Sequence, residues 1–316
     1  MTMPFAARLL YHYATPRWLC NLRTFLAINV TVLVTNIFLQ AFNSGWIGLS
    51  DWPIESYFGS PITAVESDSL REIFKVFHDA MTSHNVTYFL FSGSLLGSYR
   101  HHDRIHWDDD VDVIINCTDK SKVRGIFRSL SPTYDFYEPP GRDSRYQWKL
   151  YRSDGRSILY PLYRRHKFPN VDVFFFRENR THIWNESPDF ESSECWIKSI
   201  VFPLSKRPFG ALMVPAPCDT RAFLDANFDV AICEARSYSH YFDVHMLSTP
   251  KRVACDQLRH IFPFVRRRAA VKKELGKDDV GGLLLEMGGG DVTKYEVESL
   301  ELRSWILQEF TLRSRC

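Results

Sequence analysis

The chain has 316 residues, 45% hydrophobic and 24% charged, a balance that excludes intrinsic disorder and suits one globular domain with appendages. Its 39 basic and 37 acidic residues leave a formal charge of +2, so no global field argues for nucleic acid as a partner and any phosphate recognition is local. Neither an internal repeat nor a low-complexity tract is present.

Residues 25–42 (FLAINVTVLVTNIFLQAF) carry no charge and, at 18 residues, reach the length that spans a bilayer. Arg8, Arg17 and Arg23 precede this run while Asp51 and Glu55 follow it. That asymmetry predicts a cytoplasmic tail over 1–24, a membrane anchor over 25–42 and a luminal remainder, a single-pass type II arrangement in the endoplasmic reticulum or Golgi. A signal peptide cleaved near Ala41–Ser44 is the competing reading; the anchor is preferred because signal n-regions are usually shorter than the segment ahead of this run. Asn85-Val-Thr, Asn116-Cys-Thr and Asn179-Arg-Thr are glycosylation acceptors, and Asn185-Glu-Ser, followed by Pro188, is a poorer one. Beyond the apolar run stand Cys117, Cys195, Cys218, Cys233, Cys255 and Cys316, with no C-x-x-C spacing, which favours disulfides over a zinc site and leaves their connectivity open.

Residues 43–65 read as a stem, rich in glycine, proline and aromatics. An amphipathic helix is predicted from a cap at Asp68 to Ser83, burying Leu70, Ile73, Phe74, Phe77 and Met81. A strand over Thr87–Phe91 then meets Ser92-Gly93-Ser94, with a short helix over Leu95–Arg100. Strand, glycine turn and helix in that order turn free backbone N–H groups toward an anion.

The acidic run Asp108-Asp109-Asp110-Val111-Asp112 passes into Val113 and Ile114. In an extended chain Asp110 and Asp112 share one face, Asp108 lies on the same side and Asp109 points away. Two carboxylates held that close repel, and a divalent cation between them keeps both ionised; oxygen-only ligands favour Mg²⁺ or Mn²⁺ over zinc. The alternation into apolar residues argues against a merely solvated acidic loop. Farther on, a helix over Ser121–Leu130, a turn-rich 131–147 and strands over Trp148–Tyr151, Ser157–Tyr163 and Asn170–Phe176 are predicted. Asp172 is the lone acid of the last strand, and its expected partner is the same metal, a water-facing strand edge being the alternative. A hairpin over Phe202–Val214, a helix over Thr220–Asn227 and a helical extension over 251–316, with a last helix near Tyr295–Phe310, complete the chain. In that extension Arg266-Arg267-Arg268 and Lys272-Lys273 read as a solvated helix face, or as a contact for an acidic donor or lipid headgroups.

The run GSLLGSYRHHDRIHWDDDVDV resembles the signature of the LicD family, which includes fukutin and fukutin-related protein, and NVDVFFF is similar to that family's second acidic strand. The resemblance extends over roughly Ser67 to Val230, through FPLSKRPFGALMVPAPCDTRAFL; His106 departs where such motifs often have Pro, and Asn227-Phe228 replaces a Tyr-Gly. It implies an α+β, nucleotidyltransferase-like mixed sheet flanked by helices over 66–250, with a Gly-Ser turn for phosphate and three carboxylates for metal. The implied activity is transfer of phosphocholine or ribitol phosphate from a CDP-linked donor to a glycan hydroxyl on protein or lipid. Asp110 and Asp112 are then expected to hold the cation, Asp172 to complete its shell or take the acceptor's proton, and Asp108 to support it. Gly93 and Ser94 are expected at the phosphate, with Arg100, His101 or Arg104 as a cationic clamp. The competing functions are an inactive luminal binding protein of the same fold, and a nucleotidyltransferase that expels pyrophosphate from a triphosphate.

Overall fold

The computed structural model describes residues 53–158, 166–190, 193–235, 238–242, 244–245, 250–270, 295–303 and 305–313, together with nine residues between 26 and 36. Residues 1–53 and 54–316 are separate units. In the first, the described residues are helical, and Thr31 and Thr35 donate their hydroxyls to the carbonyls of Ala27 and Thr31 at 2.8 and 2.7 Å, which satisfies polar groups within the helix itself. Among the described residues no helix is long and apolar enough to cross a membrane. The rest of the 25–42 run, the 1–24 tail and residues 43–52 of the stem lie outside them.

In the second unit, helix α1 (Ala64–Ser83) starts four residues before the expected Asp68. Thr63 is the cap: its Oγ1 accepts the Glu66 N–H at 3.2 Å while the Glu66 carboxylate accepts the Thr63 N–H at 2.9 Å, a capping box that leaves Asp68 on the exposed surface paired to Arg71. The buried stripe is the expected one. Strand β1 (Tyr88–Leu90) leads into helix α2 (Ser92–His101), so Gly93 and Ser94 belong to the first helical turn rather than to a turn ahead of it. Strand β2 (Val111–Asn116), helix α3 (Lys120–Ser129), and strands β3 (Tyr134–Tyr137), β4 (Trp148–Ser157) and β5 (Lys167–Glu178) follow. Most of the expected strand over Ser157–Tyr163 lies outside the described residues.

These strands form a mixed sheet in the order β1-β2-β5-β4-β3, extended from the end of β5 by β6 (His182–Asn185) and β7 (Cys195–Ile197). Among the described residues of this sheet, only β2 and β5 run parallel. Alternation sends Val111, Val113, Val173, Phe175 and Trp148 to one face, where α1 and α3 cover them; Phe77 of α1 meets Phe127 of α3, and Phe127 meets Phe136 beside Trp148. The opposite face carries Asp112, Asp172 and Lys149, flanked by a packed aromatic group in which Phe91 meets Phe174 and Trp196 stacks on Phe223 at 4.2 Å. The expected hairpin is β8 (Ser205–Phe209) with β9 (Leu212–Ala216), and the expected helix after it is shorter, Thr220–Leu224.

The C-terminal region corrects the expectation of helices. After β10 (Ile232–Glu234), β11 (Tyr238–Ser239), β12 (Val244–His245) and β13 (Arg252–Ala254), strands β14 (Phe264–Ala270), β15 (Tyr295–Leu302) and β16 (Trp305–Arg313) form an antiparallel sheet. Glu298, Ser299 and Leu300 are all buried in β15, so no simple alternation of polar and apolar residues marks the strand in the sequence. The arginine run lies on β14 and is paired within the sheet: Arg266 to Glu301, Arg267 to Glu298 and Arg268 to Glu309. Lys272 and Lys273 lie outside the described residues. A disulfide joins Cys233 to Cys255 across the β10–β13 pair, Cys218 is also disulfide-bonded, and Cys117 and Cys195 are free.

Glu298 anchors this sheet to α2. It is fully buried and accepts from Arg207 at 2.8 Å, Arg267 at 2.8 Å and His102, at the end of α2, at 2.9 Å. Burial opposes its charge, yet His102, Arg207 and Arg267 together hold it down at about 2, and His102 is held below its ordinary range chiefly by burial. Both groups therefore bind protons more readily when unfolded, so both contribute stability at neutral pH that is lost as the solution is acidified. Glu298→Gln takes the carboxylate away from the buried Arg207 and the half-buried Arg267 and is expected to lower unfolding free energy by about 3 kcal/mol at pH 7. In chemical denaturation the gap to wild type is expected to close as pH falls from 4.5 toward 2.

Candidate active site

The register of β2 and β5 pairs Asp112 with Asp172, and that of β4 and β5 pairs Lys149 with Asp172, so three charged side chains stand abreast on one sheet face. Lys149 Nζ lies 2.6 and 2.7 Å from the two oxygens of Asp172. Sequence reasoning assigned Asp172 to a metal and passed over Lys149; a lone lysine inside the aromatic run WKLY is the same anomaly that singled out Asp172. All four of Asp108, Asp110, Asp112 and Asp172 line one cavity of about 1050 Å³, together with Ser92, Gly93, Arg100 and Lys149.

Helix α2 opens onto that cavity. Its N-cap, Phe91, supplies no side-chain acceptor, so the N–H groups of its first turn are not capped by side chain, and Ser92 and Gly93 form part of the wall. Ser92 has φ of 42°, a left-handed conformation strained for a serine. Ser94 is turned inward, its hydroxyl accepting the Asp112 N–H at 2.8 Å; it fixes the acidic strand rather than facing a phosphate. A Cβ on Gly93 would lie 2.9 Å from Asp108 Oδ2 and 3.6 Å from Asp112 Oδ2, so glycine is what lets the helix start approach the carboxylates. A Cβ on Gly97 would lie 2.5 Å from the Asp103 carbonyl, which is how the loop leading to the acidic run lies against α2.

Of the three expected clamp residues one reaches the cavity. Arg100 lines it, anchored by Nη1 on the Ile232 carbonyl at 3.0 Å, and burial lowers its guanidinium to about 10. His101 is buried elsewhere, with Nδ1 on the Pro263 carbonyl at 2.8 Å and its ring 4.5 Å from Phe264; burial keeps it well below its ordinary range. Arg104 bonds the Ile105 carbonyl and Ser67, and like His101 it does not line the cavity, although its charge acts on Asp108.

Asp109 does not face solvent. It is fully buried and accepts the Tyr241 N–H at 3.0 Å, the His240 N–H at 3.3 Å and His240 Nδ1 at 2.8 Å. The other ring nitrogen, Nε2, lies 3.0 Å from Asp110 Oδ2. No motif marks His240, which sits in the turn between β11 and β12, far from the acidic run in sequence.

Crowded carboxylates respond in different directions. Burial, reinforced by Asp110, pushes Asp108 up to about 7, and burial with Asp110 and Asp172 pushes Asp112 well above the usual range. Asp172 is raised by burial with Lys149 opposing; burial would raise Asp110 too, but His240, Lys149 and Arg104 together hold it low. A divalent cation fits this donor set. It would relieve the repulsion that raises Asp108 and Asp112, and Gly93 keeps the space beside both free of side chain. Asp110, Asp172 and His240 each offer a ligand atom within 4.8 Å of the others.

Residues 85–219 match the model of the LicD/FKTN/FKRP nucleotidyltransferase domain. An uncharacterised protein of Rickettsia typhi is 26% identical over 204 residues, 64% of this chain and 59% of that protein. The ribitol 5-phosphate transferase FKRP of Mus musculus is 27% identical over 177 residues, 54% of this chain and 33% of that protein. The chain thus spans about a third to three fifths of these two relatives. Among solved structures, terminal uridylyl transferase 4 from Trypanosoma brucei with bound GTP aligns at 9% identity and a TM-score of 0.24, covering 39% of this chain and 34% of that one.

Gly93→Ala is expected to push the Asp108 carboxylate aside, so that Mn²⁺-induced thermal stabilisation falls to less than half of the wild-type shift while the metal-free melting temperature moves by only a few degrees. The uncapped helix, both acidic strands and Lys149 all fall within the segment that matches the LicD/FKTN/FKRP nucleotidyltransferase domain.

Proposed function

We propose that the protein transfers a substituted phosphate, phosphocholine or ribitol phosphate, from a CDP-linked donor to a glycan hydroxyl, using Mg²⁺ or Mn²⁺ held by Asp110, Asp112 and Asp172. The observation that carries this reading is the convergence of carboxylates from two parallel strands with an uncapped helix N-terminus in one cavity. At about 1050 Å³ the cavity has the volume of a site for a ligand of nucleotide size. The family match and the similarity to ribitol 5-phosphate transferase FKRP support transferase chemistry and favour ribitol phosphate.

Phosphoryl transfer demands neutralised oxygens and an attacking hydroxyl held in line, which is positioning and electrostatics rather than covalent work. The bound cation supplies positive charge to the donor's phosphate oxygens and acidifies a nearby hydroxyl. The first-turn N–H groups of α2 donate to a phosphate oxygen, and Arg100 adds a cationic group on the same wall. Asp172, raised by burial, completes the cation's shell or accepts the acceptor's proton at a carboxylate oxygen, while Lys149 bonds that carboxylate and holds it in place. Asp108 closes the site beside Gly93.

The setting proposed for this chemistry is the lumen of the endoplasmic reticulum or Golgi, with the 25–42 run as anchor. The Cys233–Cys255 disulfide and the exposed glycosylation acceptors Asn85 and Asn179 support it. Asn185 does not add to it, because its amide is buried and donates to Glu194 at 2.7 Å.

Purified protein with Mg²⁺ or Mn²⁺ and CDP-ribitol or CDP-choline is expected to release CMP, and Asp110→Ala or Asp112→Ala to reduce release by about a thousandfold. Pyrophosphate release from a nucleoside triphosphate would establish the nucleotidyltransferase reading instead; unchanged CMP release in both variants would remove the aspartates from the chemistry. Protease added outside sealed microsomes is expected to remove only about the first twenty residues, and complete digestion would overturn the luminal placement.

A further inference from the structure

We infer that His240 is a ligand of the cation site, presented by Asp109, and that this nitrogen donor makes the site prefer Mn²⁺ to Mg²⁺. The inference rests on the metal-dependent reading above and concerns a residue beyond the segment that the family model matches.

Three observations carry it. His240 Nε2 reaches the carboxylate cluster directly: it stands 3.0 Å from Asp110 Oδ2, and it shares with Asp110 and Asp172 a set of ligand atoms within 4.8 Å. A spacing of about 3 Å is the edge between adjacent ligands in an octahedral shell with bonds of about 2.1 Å. Next, the imidazole is oriented from behind. Asp109 binds Nδ1 at 2.8 Å and the backbone N–H groups of His240 and Tyr241, so one fully buried carboxylate fixes both the tautomer and the turn that carries the ring. A carboxylate behind a histidine is the arrangement that holds a metal-binding imidazole; the cation would take the place of the proton that Nε2 shares with Asp110, freeing that nitrogen's lone pair. Third, the ring borders the same cavity as the carboxylates.

An imidazole ligand selects among cations. Mg²⁺ is served by oxygen donors and keeps much of its water, whereas first-row transition ions accept imidazole nitrogen readily. Asp109 thereby acts as a positioning residue: it touches neither donor nor acceptor, and its effect runs through the ring it holds.

The test is Mn²⁺ and Mg²⁺ binding to the full chain, measured by calorimetry and, for Mn²⁺, by pulsed EPR that detects coupling to a coordinated nitrogen. Wild type is expected to show nitrogen coupling and at least tenfold tighter Mn²⁺ than Mg²⁺ binding. His240→Gln is expected to abolish the coupling and weaken Mn²⁺ about tenfold while shifting Mg²⁺ less than threefold; Asp109→Asn is expected to move both readouts the same way to a smaller extent. Mn²⁺ bound with no nitrogen coupling in wild type overturns the inference and leaves the metal reading intact, and this arm needs no variant to fold. Failure of wild type to bind either ion, in a protein that melts cooperatively, overturns both.

Discussion

Parallel pairing of β2 with β5 places Asp112 beside Asp172, and the rest of the site answers the repulsion this creates. Neighbouring strands in a sheet are roughly 5 Å apart, and here both carboxylates are buried with Asp108 and Asp110 close by. The chain supplies counter-charges from three directions. Lys149 arrives on the next strand in register with Asp172, His240 comes from a distant turn, and α2 offers the positive end of its dipole. The upward shifts at Asp108 and Asp112 show that these do not balance the cluster. A site left electrostatically incomplete by the fold is one whose stability rises when a cation and a phosphate arrive together.

The same helix whose N-terminus borders the cavity is held at its other end. His102, which follows α2, bonds Glu298 on β15; Arg267 on β14 bonds the same Glu298 and also the Tyr99 carbonyl; and Ser98 donates to the Pro208 carbonyl at 2.8 Å. Arg100 and His101 add bonds to Ile232 and Pro263. Three of these contacts therefore tie α2 to the C-terminal region, whose sheet acts as a brace for the helix N-terminus although it contributes nothing to the cavity wall. His101, expected to clamp a phosphate, does this instead, while Arg104 bonds the Ile105 carbonyl and Ser67.

What could be read in the sequence follows the range of the interactions involved. The Asp-Val-Asp alternation, the second acidic strand and the amphipathic stripe of α1 are written in neighbouring residues, and each stands where periodicity puts it. The start of α1 was missed because a capping box at Thr63 and Glu66 outweighs a simpler cap at Asp68. The C-terminal strands were missed because their charges suggest a solvated helix, while in the fold Glu298 is fully buried and pairs with the half-buried Arg267. Lys149 and His240 were missed for a plainer reason: each acquires its role only through a partner brought by long-range pairing, and a single lysine or histidine in a sequence carries no trace of that partner.

The physical unit around this site is accordingly larger than the segment the family model matches. Residues 85–219 hold the carboxylates, the uncapped helix and Lys149, but His240 and the cavity-lining Glu234, His245 and Arg252 come after it, and the brace on α2 runs to Glu298. The Cys233–Cys255 disulfide lies between these two contributions, beneath the Arg100 guanidinium that lines the cavity, whose Nη1 approaches Cys255 Sγ at 3.3 Å. Truncation at the end of the matched segment would therefore remove the His240 counter-charge from Asp110, the imidazole that bonds Asp109 and the carbonyl that anchors Arg100, leaving buried carboxylates facing one another with fewer positive groups to balance them. The strands and helices after residue 219 are part of what allows the acidic cluster to exist, and the cost of holding like charges together is met by the whole 54–313 unit rather than by the motif that displays them.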